Sequence, residues 1–352
     1  MSESQHSITR RLHRRNLSDY SLIDDKHKAE DVSQETQQRL KRTASFSEGE
    51  SWNSISQSFT TAYHKAEDFV TNIIDKGWHL VKHSHLPNWL KDNEYLVQGH
   101  RPELSSFSAC FRSIFRMHTE TLNIWTHLIG FLAFLYLAVQ FIVQPSIDLD
   151  WQEKAIVSVF FASAILALLF SWLFHTLYCH SECVGRFFNK LDYAGIAILT
   201  VGSFVPWLHF SFYCHPAYKI TYLVVVMILG CLCIFVSVQD YFQKPHYRKL
   251  RAGLFVALGL SGIVPCAHYI FIEGFWRAYD GLFWLITMGL CYLAGAFLYA
   301  IRFPECVFPG RVDIWFHSHQ IFHVLVVIAA LVHYKGILHV AEYRLSNGPC
   351  RI

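Results

Sequence analysis

Charge is scarce in this chain. Only 16% of its 352 residues are Asp, Glu, Lys or Arg, whereas 53% are hydrophobic. Soluble proteins of this length seldom carry so few charges, and the balance disfavours a water-soluble globule. The net charge is +3 and the basic residues form no stripe, which excludes a nucleic-acid surface. No secretory leader is expected, because the first residues are polar and hold no apolar core. The ten cysteines follow no framework spacing. Cys231, Cys233, Cys266 and Cys291 sit inside apolar runs and read as packing residues, not as disulfides. No GxxxG occurs, although Ala194, Gly195, Ala197, Gly259 and Gly262 would let helices approach closely. HExxH is missing too, so no helix carries both a metal-ligand pair and its own general base.

Long apolar runs are what the chain does have. Seven segments, at about 120–143, 154–178, 189–209, 218–240, 251–272, 280–301 and 314–338, each suit a membrane helix in length. The fold class expected is an all-α membrane protein, a seven-transmembrane helix bundle spanning 119–340. Pro206 and Pro265 fall inside the third and fifth segments, where neighbouring helices can satisfy the freed carbonyls. Residues 1–58 are rich in Ser, Gln, Lys, Arg and Asp and read as a disordered tail. Residues 59–118 form a pre-membrane part. It opens with an amphipathic helix from Phe59 to Val81 and continues through LPNWLKDNEYLVQGHRP at 86–102, too aromatic for a free linker. Residues 341–352 read as a short tail after the last span.

Loop charges orient the bundle. The loops at 179–188, 241–251 and 302–313 carry Arg186, Lys244, Arg248, Lys249, Arg251, Arg302 and Arg311. The alternate loops hold only Arg277, with Lys154 and Lys219 at their borders. Positive loops stay inside, so the N-terminus is expected in the cytosol and the C-terminus outside.

This topology puts one set of polar residues at a common depth. His319 and His323 are four apart and share a helix face, as do Ser171 and His175. With Asp192 they fall within roughly 5–15 Å of the inner boundary, at 1.5 Å rise per residue. Ionisable residues inside a span are costly and mark function by default. Three imidazoles with one open position describe a catalytic zinc site. Asp192 is then the available base for a water acidified by the metal, and Ser171 an orienting hydroxyl. Bland readings compete with each of these. Asp192 with Asn189 would cap the third span, and Ser171 would bond back to its own helix. His118 and Glu120 read as a cap on the first span. His209, His215, His268, His317 and His333 read as structural. Cys179 and Cys183 rank second as ligands.

Five stretches carry a family resemblance: LPNWLKDNEYLVQGHRP (86–102), FRMHTETLNIWTHLIGF (115–131), SWLFHTLYCHSE (171–182), KLDYAGI (190–196) and FHSHQIFHVLVV (316–327). Over about 85–345 the chain resembles the adiponectin receptors of the progestin and adipoQ receptor family. That resemblance implies seven spans with the N-terminus inside and an intramembrane Zn2+ held by His175, His319 and His323. It also implies Asp192 and Ser171 beside the metal, and hydrolysis of ceramide to sphingosine and free fatty acid. The motif is similar to that of the alkaline ceramidases too. The implied setting is the plasma membrane. The implied partners are membrane lipids, ceramide or free fatty acid in the bundle cavity, an adiponectin-like hormone outside, and a cytoplasmic adaptor on the N-terminal region. Two functions follow from different classes. One is a receptor controlling lipid and energy metabolism through zinc-dependent lipid amide hydrolysis. The other is a non-catalytic sensor of lipid composition or fluidity, or a scaffold, with structural zinc.

Overall fold

A computed structural model describes residues 79–145, 147–243, 245–346 and 350, together with Gln57, Thr60 and Thr61. The chain divides into two compact units, Met1–Gly77 and Trp78–Ile352. The expected tail lies outside the described residues except for Gln57, and so does most of the expected amphipathic helix. Thr60 and Thr61 are helical, with Thr61 Oγ1 donating to the Gln57 carbonyl at 2.7 Å. That helix does not reach Val81, however. Val81 is extended and exchanges backbone hydrogen bonds with His100 at 2.8 and 3.1 Å.

The second unit is helical. A short α1 (Phe107–Ser113) precedes α2 (Thr121–Val143), α3 (Trp151–Leu177), α4 (Glu182–Ser211) and α5 (Pro216–Val238). Then come α6 (Arg248–Leu260), α7 (Ile263–Glu273), α8 (Phe275–Ile301) and α9 (Ser318–Ser346). Among the described residues, seven segments are long and apolar enough to cross a membrane. Local chemistry sets several of their starts. Asp150 and Glu153 close a capping box on α3, at 2.7 and 3.1 Å. Ser181 caps α4, and Pro216 opens α5, where a missing N–H costs nothing.

Three boundaries differ from the sequence expectation. The fifth span is broken into α6 and α7 at Ser261–Gly262. Pro265 has no N–H for the Ser261 carbonyl, and its ring crowds that turn. Second, α4 starts at Glu182, a full two turns before the expected 189. Third, the last helix starts at Ser318 and runs on to Ser346. The chain enters it through Phe316, whose φ of 67° is unusual for a bulky residue. Gln320 holds that turn: its Oε1 accepts from Phe316 N at 2.6 Å, and its Nε2 donates to the Ile314 and Thr119 carbonyls at 2.8 and 3.2 Å.

In the core, α3 packs between α2 and α4, and α9 packs on α8, α2 and α4. Phe134, Phe160, Phe161, Leu168, Leu199 and Ile337 fill the space between them. The α3–α4 contact is so close that a Cβ on Gly202 would lie 2.1 Å from Ser163 Oγ, and one on Gly195 would lie 3.0 Å from the Ala167 backbone. The pre-membrane segment packs against one end of the bundle: Leu86, Leu90, Leu104 and Cys110 meet Leu177 and Cys179. At the other end the cysteine reading needs correction. Cys231, Cys233, Cys266 and Cys291 are indeed free, but Cys214 and Cys350 form a disulfide across 136 residues. It ties the α4–α5 loop to the chain end beyond α9.

Candidate metal centre

His175 stands in the last turn of α3, and His319 and His323 occupy the first two turns of α9. Their imidazole centroids lie 4.7–5.0 Å apart in all three pairings. One ring nitrogen from each falls within 4.8 Å of the other two. No other group of three or more His, Cys, Asp or Glu side chains converges in this way among the described residues. His175 Nε2 is buried and has no hydrogen-bond partner. An orphaned buried nitrogen beside two further imidazoles is the donor set of a divalent transition ion, and zinc suits it best. The residues present fit a three-histidine site with an open position.

Two of these rings are fixed from outside α3 and α9. His175 Nδ1 donates to Glu120 Oε2 at 2.7 Å, and His323 Nδ1 donates to the Asn123 carbonyl at 3.2 Å. Asn123 Nδ2 donates to the same Glu120 oxygen at 2.7 Å. Glu120 is the N-cap residue of α2 by position, but its side chain makes no cap hydrogen bond and anchors the helix to α3 instead. Sequence reasoning missed this contact. The only available signal was a glutamate at the mouth of an apolar run, which suits a cap equally well.

The backbone beneath His175 is held by Arg101, which is 1% exposed. Its Nη1 donates to Ser113 Oγ at 2.8 Å and to the Thr176 carbonyl at 3.0 Å, and its Nη2 donates to the His175 carbonyl. Burial pushes the nearby His118 imidazole down to about 3, and Arg101 adds to the effect. Beneath α9, buried Glu305 accepts from Ser318 N at 2.7 Å and from Asn93 Nδ2 at 3.1 Å. A carboxylate at that helix N-terminus is favoured by the dipole as well.

Asp192 lies three turns inside α4, behind the Ser181 cap, so the cap reading of Asp192 fails. Its carboxylate stands within electrostatic reach of Ser171 and His175. Both residues line the same cavity as the three histidines. That cavity has a volume of about 1280 Å³ and continues past Ser203 and Trp207 to Leu285 on α8. Sites for compact ligands occupy about 300–1,000 Å³, so this one suits a longer molecule.

The remaining candidates stay apart from the centre. His317 precedes α9 and its Nε2 donates to the Thr119 carbonyl at 3.0 Å. His268 bonds Tyr222 at 2.8 Å, and His333 donates to the Ser203 carbonyl at 2.9 Å. Cys179 is buried against Cys110 at 3.9 Å between sulfurs, and Cys183 is exposed.

Residues 115–334 match the family described as Haemolysin-III related. The chain is 53% identical to the adiponectin receptor protein of Drosophila melanogaster, over 83% of its own length and 66% of that relative. It is 50% identical to progestin and adipoQ receptor-like protein 1 of Caenorhabditis elegans, over 79% of its length and 64% of the relative. It thus spans slightly under two thirds of each of these relatives. With heptahelical transmembrane protein 1 of Arabidopsis thaliana it is 36% identical, over 75% of its length and 82% of the relative. A seven-span helical bundle, a match covering its membrane part, and relatives at this identity lead to one assignment: the chain is an adiponectin receptor-like multi-pass membrane protein of the Haemolysin-III related, progestin and adipoQ receptor family.

Proposed function

We propose that this receptor-like protein regulates lipid and energy metabolism by hydrolysing ceramide-type lipid amides with zinc. The observation that carries the reading is the convergence of three imidazoles, those of His175 and His323 buried and that of His319 half-buried, in a long cavity that Asp192 and Ser171 also line. His175, His319 and His323 would hold the metal. When bound, zinc supplies Lewis acidity, polarising a carbonyl and lowering the pKa of water to about 7. The chain does the rest. The cavity takes the acyl chain and brings the amide carbonyl to the histidine end. Ser171 orients the attacking water. Asp192 accepts the proton that the water loses on adding to the carbonyl carbon. It returns that proton to the amine nitrogen as the C–N bond breaks. The products are a fatty acid and a sphingosine-type base.

In this reading the N-terminus is cytosolic. Lys and Arg concentrate in the loops at the end against which the pre-membrane segment packs, and positive loops stay inside. The Cys214–Cys350 disulfide sits at the opposite end, which suits the oxidising side of a plasma membrane. An adiponectin-like hormone would then meet that outer end, and an adaptor the N-terminal region. The test is metal analysis and lipid amide hydrolysis on one purified sample. About one zinc per chain, with hydrolysis lost on chelation and regained on zinc addition, is expected. Full zinc occupancy without hydrolysis would contradict catalysis and favour a sensor with structural zinc.

A further inference from the structure

Glu120 is an unusual group to bury. It lies just before α2, its side chain is 15% exposed, and it does not cap its own helix. A carboxylate taken from water costs several kcal/mol unless it is well paired. Glu120 has two partners. Asn123 Nδ2 and His175 Nδ1 each donate to Oε2, both at 2.7 Å. These contacts determine what His175 can do. A carboxylate oxygen accepts, so the proton on this imidazole sits at Nδ1, and the Nε2 lone pair is left free. That nitrogen is the buried atom with no partner in the protein. Were Nε2 protonated instead, a buried donor would face no acceptor. Either way it is unsatisfied until something binds there, and only the free lone pair can take a cation.

The same turn of α2 orients a second ring. The Asn123 carbonyl accepts from His323 Nδ1 at 3.2 Å, which again leaves Nε2 available. Two candidate ligands on two different helices are thus set by residues 120–123 of a third. The His175 and His323 rings stand 4.7 Å apart at 76°, an arrangement each could lose by rotating about its own side chain. Partners on the outer nitrogens of ligating histidines fix the ring and raise its basicity, and their loss typically weakens metal binding about 10–100-fold.

Given the zinc reading above, we propose that Glu120 is a positioning residue of the metal centre. Steadied by Asn123, it holds His175 in the Nδ1–H tautomer with Nε2 aimed at the point shared with His319 and His323.

The test is zinc affinity by competition with a chromophoric chelator, together with the visible spectrum of the Co2+-substituted protein, on full-length protein in lipid nanodiscs. Glu120→Ala should weaken zinc about 10–100-fold and alter the Co2+ ligand-field bands. Glu120→Gln keeps an acceptor for Nδ1–H and should restore most of the spectrum, with a loss below about tenfold. Asn123→Ala leaves the carboxylate and the residue 123 carbonyl in place and should weaken zinc by a few-fold. It keeps the test decisive if Glu120→Ala fails to fold. Wild-type affinity and spectrum in folded Glu120→Ala, with His175→Ala emptied, would overturn the positioning role and leave the zinc reading intact. A wild-type protein that binds neither zinc nor Co2+ would overturn the zinc reading, and this role with it.

Discussion

In the central stretches of α3, α4 and α9, 44%, 50% and 39% of residues are buried, whereas in the fifth and sixth spans the figures are 17% and 11%. The first group carries His175, His319, His323, Asp192 and Ser171. The second forms the far wall of the cavity through residues such as Phe255, Gly259 and Leu285. Single glycines show the contrast too: Gly202 on α4 lies against Ser163, whereas a Cβ on Gly259 of α6 would meet nothing within 4 Å, although Gly281 and Gly295 of α8 pack closely on Val340 and Phe322 of α9. Phe271 and Trp276, exposed by 87% and 86%, turn away from the protein altogether. Ligand geometry demands side chains fixed to within tenths of an ångström, which only close packing provides. Holding a long flexible chain demands room and little more. On the proposed function, these two demands would fall on different walls of one cavity.

Substitution can break this contrast, most severely at the ligands. His175→Ala, His319→Ala and His323→Ala should each empty the zinc site, and His317→Ala should leave it filled, as read by metal analysis of purified protein. Emptying by His317→Ala with retention in His319→Ala would reverse the assigned helix face. Next in size is Arg101→Ala. It strands the buried carbonyls of His175 and Thr176 and should cost about 3 kcal/mol or more. Thermal unfolding in nanodiscs measures it, and an unchanged midpoint would show that the pre-membrane segment does not hold α3. The smallest effects compare the two walls directly. Gly202→Ala should destabilise by about 1–3 kcal/mol through overpacking. Gly259→Ala meets open space in a helix and should stabilise by up to about 1 kcal/mol. Equal shifts in the same direction would mean that the two sides are packed alike.

How much of this could be read from the chain depends on the range of the interaction. The seven spans were legible because each needs only a local apolar run. His319 and His323 were legible as one helix face, and His175 and Asp192 joined them through loop charge alone. What escaped was set by tertiary pairing. Glu120 looks like a cap until α3 is laid against it. Cys214 and Cys350 are too far apart in sequence to suggest each other. The start of α4 was placed late because Glu182 and Arg186 give its first turns the polarity of a loop. Pro265 breaks its span whereas Pro206 lies within an unbroken α4, and the sequence offers no rule that separates them.

The central claim is that the tightly packed side performs hydrolysis and does not merely hold a metal. Asp192→Asn tests it most directly, because it preserves shape and hydrogen-bonding capacity but cannot accept a proton from water. Measured as hydrolysis of a long-chain lipid amide per bound zinc, this variant should keep its zinc and its surface expression. It should lose about 10²–10⁴ in rate. Wild-type hydrolysis per zinc in Asp192→Asn would contradict the account.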